Sequence, residues 1–516
     1  MSDSGKKAKK YLIVNVMTNI LAVMSNSLVA LWMTPFLIRS LGLAVFGMVP
    51  LVSSIANYLS IFNLTVSGAV GRFVALHLDR NENEKGNIYF NSSIFGLIGI
   101  GLLVAIPAAA AIRFLPEIIQ VPEGYEADFS ILILLAIVAS FVGAITSSFQ
   151  VSTFVTHRFF VFNSAKIASR LLQVALILLL FHLFSPSLPM VGLSLLGMTA
   201  FLLGALIVIS GKLLPQLTVH PRYFRWPAFR EMGGMGSWIV IDQLGTLLYL
   251  NSDLIIINFF LGPEAVGRYA PILQLVMLMR VLAPAVSGVF APVAIEYIAR
   301  DELGKLAGHT QTAIKFMGLL LALPAGLLCG LAAPFLTLWL GPSFAELAPL
   351  LWLLLLPQVL FLAVNPLYNI NRGMNKVRTP ALVTVAGGVL NIILALFFIG
   401  ILDLGLFGMA LASVLSFALR SVCFLPLYTA NCLGLSGTHF FRSMPISLIA
   451  VSFVAIATFW LQQFYPIINF AQMFLVSSAV GLLFGGGVYV LALNRGEREL
   501  VLSLLGVKKK IVGVGA

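Results

Sequence analysis

Apolar runs of about twenty residues recur along the chain, each ending at Pro, Gly, Asn or a charged residue. Such a run matches the roughly 30 Å hydrocarbon thickness of a bilayer when it is helical. The pattern predicts fourteen spans, near 12–36, 45–70, 88–112, 129–153, 162–184, 188–210, 235–260, 267–297, 312–338, 345–369, 379–401, 405–430, 444–464 and 468–492. A membrane β-barrel would instead alternate apolar and polar residues over segments of about ten. In lipid the backbone must satisfy its own hydrogen bonds, which leaves helices. The expected fold class is therefore all-α, a polytopic membrane protein. Span eight contains Pro271, Pro284 and Pro292, so a kinked helix is expected there.

Composition agrees with this reading. Hydrophobic residues make up 60% of the 516 and charged residues 10%, against roughly 25% charged in soluble domains. Soluble globular, disordered and disulfide-scaffold classes are excluded. The three cysteines, Cys329, Cys423 and Cys432, are scattered in or beside spans and suggest packing residues. The Lys-rich start followed by an apolar run resembles a secretory leader. That run is long, carries Asn15, Asn19 and Asn26, and has no small-x-small cleavage site, so a retained first span is expected.

Charge tests the count. Alternate connections hold 26 of the 31 Lys and Arg residues, from Lys6 through Arg80, Arg158, Lys166, Arg170, Arg225, Lys305, Arg372 and Arg442 to Lys510. The opposite connections hold only Arg39, Arg113 and Arg268, among acidic residues such as Glu117, Asp128 and Glu264. By the positive-inside rule both termini are cytoplasmic and the number of spans is even. The net charge of +12 then needs no nucleic-acid partner, because topology and contact with anionic lipid explain it. The stretch Glu499–Lys510 reads as a basic amphipathic segment on the inner surface.

An internal repeat organises the chain. Shifted by 220 residues, Leu41–Lys85 lies on Leu261–Lys305 without a gap, with LG…G, VSG and R-x-E-x-x-K pieces in register. Six spans separate the copies, so they share an orientation, which predicts a parallel repeat about an axis along the membrane normal with a cavity between halves. The expected lobes are residues 1–230 (spans one to six) and 231–440 (spans seven to twelve), with 441–516 holding spans thirteen and fourteen and a basic tail.

Polar residues on one face of an apolar span point toward protein or water. Span one carries Asn15, Asn19 and Asn26 on one face; span seven carries Asp242, Thr246, Tyr249 and Asp253. The shift by 220 superposes Asn26 on Thr246. Span two carries Ser53, Asn57, Ser60 and Ser67, with Ser60 corresponding to Arg280 of span eight. Spans one, two, seven and eight are therefore the expected cavity walls; ordinary hydrogen bonding between packed helices is the alternative for any single residue. An intramembrane ion costs at least about 2.5–3.5 kcal/mol on insertion scales, so Arg280, Asp242 and Asp253 are candidate substrate or ion sites. The competing reading is an Arg–Asp ion pair joining spans seven and eight. Span four carries Thr146, Gln150, Thr153 and His157 on one face, and span ten carries Asn365, Asn369 and Arg372; Gln150, Asn369 and Arg372 are candidate gate or wall positions.

No G-x-x-x-x-G-K-[ST] phosphate loop, no His/Cys metal cluster and no large extramembrane domain is legible, so neither a cofactor nor a metal is expected and a carrier fits better than an ATPase or an enzyme.

Residues 41–75, LGLAVFGMVPLVSSIANYLSIFNLTVSGAVGRFVA, resemble the start of the Wzx-type polysaccharide and O-antigen flippases of the MATE-like multidrug/oligosaccharidyl-lipid/polysaccharide exporter superfamily. The matching pieces are Leu41-Gly42, Phe46-Gly47, the Tyr58–Leu64 run, Ser67 and Arg72-Phe73-Val74-Ala75, with LGPEAVGRYA (261–270) as the second-half counterpart. Asn63 and Thr65 depart from the family, which often has an acidic residue and a glycine there. The resemblance implies two six-helix lobes plus two helices in a bacterial inner membrane. It also implies a polyprenyl-pyrophosphate-linked oligosaccharide as substrate, flipped from cytoplasmic to periplasmic leaflet by alternating access. A polar cavity with a buried arginine would shelter such a substrate, so Arg280 is expected to contact the pyrophosphate. Membrane lipids, the polysaccharide polymerase and chain-length proteins are the partners it suggests. A cation-coupled multidrug exporter using Asp242 or Asp253, and a membrane component of a polysaccharide synthase, are the alternatives.

Overall fold

The computed structural model describes residues 3–112, 114–234, 237–288, 290–494 and 496–499, and no strand occurs among them. Helix α1 (Asp3–Leu41) passes to α2 (Leu43–Asp79) through Gly42 alone. Its φ of 83° lies in the left-handed region that glycine enters without a side-chain penalty. The second copy repeats the device: Ser237–Ser287 is broken at Gly262, φ 82°, into α7 (237–261) and α8 (263–287). The apolar part of that stretch, Val240–Pro284, has 45 residues. At 1.5 Å per residue an unbroken helix would be about 67 Å long, more than twice the hydrocarbon thickness, so the break makes it two spans.

The remaining long helices are α3 (Asn83–Ile112), α4 (Glu126–Val155), α5 (Phe159–Leu183), α6 (Leu188–Leu213), α9 (Leu303–Gly330), α10 (Ala348–Ala363), α11 (Arg378–Ala395), α12 (Gly405–Phe417), α13 (Pro445–Phe464) and α14 (Phe470–Gly487). Twelve helices among the described residues are long and apolar enough to cross a bilayer. Counting Val240–Pro284 as its two halves and adding α2 gives the fourteen expected spans. Helices α11, α12 and α14 each continue into a π-helical stretch, Leu396–Ile401, Ala418–Phe424 and Val488–Ala492. The kink expected in span eight is a full interruption: α8 ends at Ser287 and a short helix restarts at Ala291 with Pro292 in its first turn. The basic stretch expected on the inner surface lies, from residue 500 onward, outside the described residues.

The repeat is visible in local geometry. Asn81 (φ 57°) and Asp301 (φ 58°), 220 apart, make the same left-handed turn. Each turn is braced by a lysine on a glutamate, Lys85–Glu82 at 3.2 Å and Lys305–Glu302 at 3.1 Å. Each is flanked by a histidine–tyrosine ring contact with the partners exchanged, His77–Tyr89 in the first copy and Tyr297–His309 in the second. The His77 ring, 2.6 Å from Glu82, and then Lys85 hold the Glu82 carboxyl below the usual carboxylate range.

Packing divides the chain into two compact units, Met1–Leu278 with Lys376–Ser416, and Met279–Asn375 with Phe417–Ala516. This division differs from the repeat: α7, most of α8, α11 and α12 group with the first six helices. In the first unit a core of Ala69, Val70, Val74, Phe90, Ile94, Leu97 and Phe149 extends to Phe229 and Met232 of the connecting helix Trp226–Gly234. The segment before that helix is held by side chains of α3 acting as a substitute strand. Asn87 donates to the Gln216 carbonyl and accepts from the Thr218 N–H; Asn91, one turn on, donates to the Thr218 carbonyl and accepts from the His220 N–H. The match is geometric, since four helical residues rise about 6 Å and two extended residues about 6.6 Å. Ser92 completes the strap by accepting from the Arg225 N–H at 2.9 Å.

In the second unit α9 meets α13 through Gly318, Gly326 and Gly330, which face Ser447, Val454 and Thr458. Small residues let membrane helices approach closely enough for dispersion to hold them. A Cβ at Gly326 would lie 2.6 Å from Val454 Cβ and 3.0 Å from the Val451 carbonyl, so Gly326→Leu is expected to destabilise by about 1–3 kcal/mol. Thermal unfolding in detergent checks this against Gly308→Leu on the same helix, where nothing lies within 4 Å and no loss is expected.

Candidate functional site

Within the first unit lies a cavity of about 560 Å³ walled by α1, α2, α5, α7 and α8. That volume suits a small-molecule-sized group. Its lining is largely apolar with a few polar groups, among them Thr34, Asn57, Arg170, Gln243, Asn251 and Gln274. Two contacts cross between the repeat halves. Asn57 Nδ2 donates to Asn251 Oδ1 at 3.0 Å, and the Thr34 hydroxyl donates to Gln274 Oε1 at 2.7 Å.

Arg170 is the cation of this wall. It lies eleven residues into α5, about 16 Å along the helix axis, and is half-buried. Its Nη1 donates to Gln173 Oε1 on the next turn. Its Nε, like Nε2 of Gln274, is buried without a hydrogen-bond partner among the described residues. Among the described residues Arg170 is the one charged side chain in this lining, and a guanidinium on a largely apolar wall suits an anionic ligand. The charge pattern had grouped Arg170 with Arg158 and Lys166 in a connection, whereas it sits inside span five.

The polar stripe of span seven has other partners. Asp242 Oδ1 accepts from the Thr384 hydroxyl at 2.7 Å, and the Tyr249 hydroxyl donates to the Ser416 carbonyl at 3.3 Å. Asp253, 2% exposed, accepts from Asn391 Nδ2 at 3.2 Å and from the Ser413 hydroxyl at 3.1 Å. Thr246 caps the Asp242 carbonyl of its own helix. This face meets α11 and α12, while the adjacent face, about 100° round the helix, supplies Gln243, Leu247, Asn251 and Leu254 to the cavity. Among the described residues no cluster of three or more His, Cys, Asp or Glu is placed to hold a metal.

The model of a family described as polysaccharide biosynthesis protein matches residues 12–298. A protein of Bacillus subtilis (strain 168), described as uncharacterized membrane protein EpsK, is 32% identical over 489 residues, 95% of this chain and 97% of its own. The chain belongs to the polysaccharide biosynthesis protein family.

Solved structures agree on the fold of this polysaccharide biosynthesis protein. The lipid II flippase MurJ, in an inward closed conformation, is similar with a TM-score of 0.65 at 15% identity, over 95% of this chain and 100% of MurJ. A multidrug resistance MATE family transporter of the MOP superfamily, inward-facing, gives 0.61 at 14% identity over 82% of this chain and 98% of its own. The all-α, MATE-like architecture expected from the sequence is thereby established.

The other expected site residues are spread more widely. Asn57 lines the cavity, but Asn19 and Asn26 are exposed on α1 and outside its lining, and the side chain of Ser60 lies outside the described residues. Gln150 is half-buried on α4. In the second unit, Arg280 donates to Gln358 Oε1 at 3.3 Å and stacks its guanidinium 4.0 Å from the Phe417 ring centre. Asn369 donates to the Ser287 carbonyl at 3.0 Å, and Arg372 is exposed. Thr34, Ser54, Arg170, Gln243, Asn251 and Gln274 are the polar lining residues that the stripes did not reveal. A cation one helical turn deeper than Lys166 was the signal for Arg170.

Proposed function

We propose that the protein is a lipid-linked oligosaccharide flippase, carrying an undecaprenyl-pyrophosphate-linked glycan from the cytoplasmic to the periplasmic leaflet of a bacterial inner membrane by alternating access. Both termini are then cytoplasmic, and the repeat lobes 1–230 and 231–440 rock about the cavity. A hydrophilic glycan on an anionic pyrophosphate cannot cross about 30 Å of hydrocarbon unaided. The observation that carries the reading is Arg170, the one charged side chain among the described residues lining the cavity. Its planar fork suits a phosphate oxygen pair. Arg280 is the second proposed cation of the transport path. Family membership and the likeness to a protein described as a lipid II flippase support the substrate class.

Asp253 supplies the coupling site. Its carboxylate, the Ser413 hydroxyl and Asn391, whose Oδ1 has no hydrogen-bond partner among the described residues, converge oxygen atoms suited to a monovalent cation or a proton. The same feature favours the second reading, a cation-coupled drug exporter.

Depletion of the protein in its host distinguishes them. A membrane-impermeant glycan-modifying reagent on intact spheroplasts is expected to find the lipid-linked oligosaccharide in a protected, cytoplasm-facing pool. Normal accessibility with no accumulation, together with drug sensitivity, would establish the exporter instead. Failure to make the lipid-linked glycan at all would point to a role in synthesis.

A further inference from the structure

The LG-x-x-x-x-G element that opens each copy of the repeat has no part in the cavity's chemistry, yet its two copies touch. Gly47 faces the Pro263 carbonyl and the Gly267 nitrogen, and Gly267 faces the Leu43 carbonyl. Under the 220-residue shift position 43 becomes 263 and 47 becomes 267, so the two contacts are images of each other about the pseudo-two-fold axis. A Cβ on either glycine would overlap a backbone oxygen of the opposing helix, which cannot swing aside as a side chain can. The left-handed Gly42 and Gly262 set the direction in which α2 and α8 start. A clamp lies on the same end: Gln120 N–H donates to Asn258 Oδ1 and Asn258 Nδ2 donates back to the Gln120 carbonyl, both at 2.9 Å, while Gln120 Nε2 donates to the Phe259 carbonyl at 2.8 Å. Phe46, beside Gly47, and Ala270, one turn beyond Gly267, line the cavity. The seam therefore borders the cavity at the end of α2 opposite the Asn81 turn.

We propose that the twice-repeated LG-x-x-x-x-G element is the cavity's outer gate, a glycine seam that is shut in this conformation and parts to let the ligand leave. The direction of release rests on the flippase reading; the seam itself does not. Glycines at both contacts bring the helix starts to backbone distance, so closure relies on dispersion and weak Cα–H···O contacts that form and break without unlocking interdigitated side chains. Because the axis relates the two contacts, a wedge at either glycine acts on one and the same seam.

The test uses the full chain with Cys329, Cys423 and Cys432 replaced by alanine and a reporter Ala270→Cys in the cavity wall. A membrane-impermeant maleimide is applied to each face of sided vesicles in turn. Gly47→Val and Gly267→Val are each expected to raise the outer-face labelling rate at least tenfold, and the double variant no more than either alone. Gly68→Val on α2, where nothing lies within 4 Å, is expected to leave the rate unchanged. Asn258→Ala, which opens the clamp without adding bulk, is expected to raise it as well and covers the case in which a valine variant does not fold. Unchanged outer-face labelling in all folded seam and clamp variants would overturn the gate. If labelling rises while the lipid-linked glycan stays normally exposed after depletion, the gate stands and the flippase reading falls. If labelling is unchanged while the glycan accumulates inside, the flippase reading stands and the gate falls.

Discussion

Arg170→Ala is expected to reduce export of the lipid-linked glycan about 10- to 150-fold at matched expression, with only a small change in the melting temperature of the purified protein. Hydrogen bonds to charged groups are worth about 1.5–3 kcal/mol, and each 1.4 kcal/mol is a factor of ten. The stability half of the expectation is a near balance: removal relieves a guanidinium whose Nε has no acceptor among the described residues, and it forfeits the hydrogen bond to the buried Gln173 Oε1. Arg170→Lys keeps the charge without the fork and should fall between alanine and the parent. Arg280→Ala should behave differently, because Arg280 lies over Phe417 and its removal also forfeits a cation–π contact, so melting temperature and export fall together. Arg442→Ala serves as the control, with near-normal export expected. Equal export by the Arg170 and Arg442 variants would exclude the role given to Arg170.

Asp253→Asn is expected to lower transport more than tenfold and to leave the melting temperature within about 2 °C. The carboxamide still accepts from Asn391, and the Ser413 hydroxyl turns to accept from the new NH2, so the buried hydrogen bonds survive and only the charge is lost. Asp253→Leu removes both acceptors and should add a stability loss of about 1–3 kcal/mol for the stranded donors. The decisive readout is transport against an imposed cation or proton gradient. Loss of the gradient dependence in the asparagine variant with the fold intact supports coupling at this site; retained dependence places coupling elsewhere.

Much of the architecture was legible in the sequence because bilayer thickness imposes a length on every span and the repeat imposes a register. Helices α1, α2, α7 and α8, whose apolar runs carry the polar positions, contribute residues to the cavity lining, Asn57 among them. The facing of α7 was not legible. It carries two polar faces about 100° apart, and periodicity alone does not say whether the one with Asp242 and Asp253 or the one with Gln243 and Asn251 meets the void. Partners from α11 and α12, more than 120 residues away, decide it: Thr384, Asn391 and Ser413 satisfy the aspartates. Arg170 was obscured for a related reason. A sum over loop charges treats a basic residue near a helix start as interfacial, although about three helical turns of α5 precede Arg170. The continuity of α11, α12 and α14 into π-helical turns also has no simple periodic signature.

The amide strap of α3 bears on how the chain is made. Asn87, Asn91 and Ser92 capture residues 216–225, and Phe229 and Met232 enter a core drawn otherwise from residues 69–217. All the partners for that capture have been synthesised by the time Met232 leaves the ribosome. Chains fold largely in the order of their synthesis, so the first copy of the repeat can bury its exit segment before the second copy is translated. A nascent α7 then enters the membrane beside a finished surface, and it is offered that surface rather than an unfolded twin with the same apolar pattern.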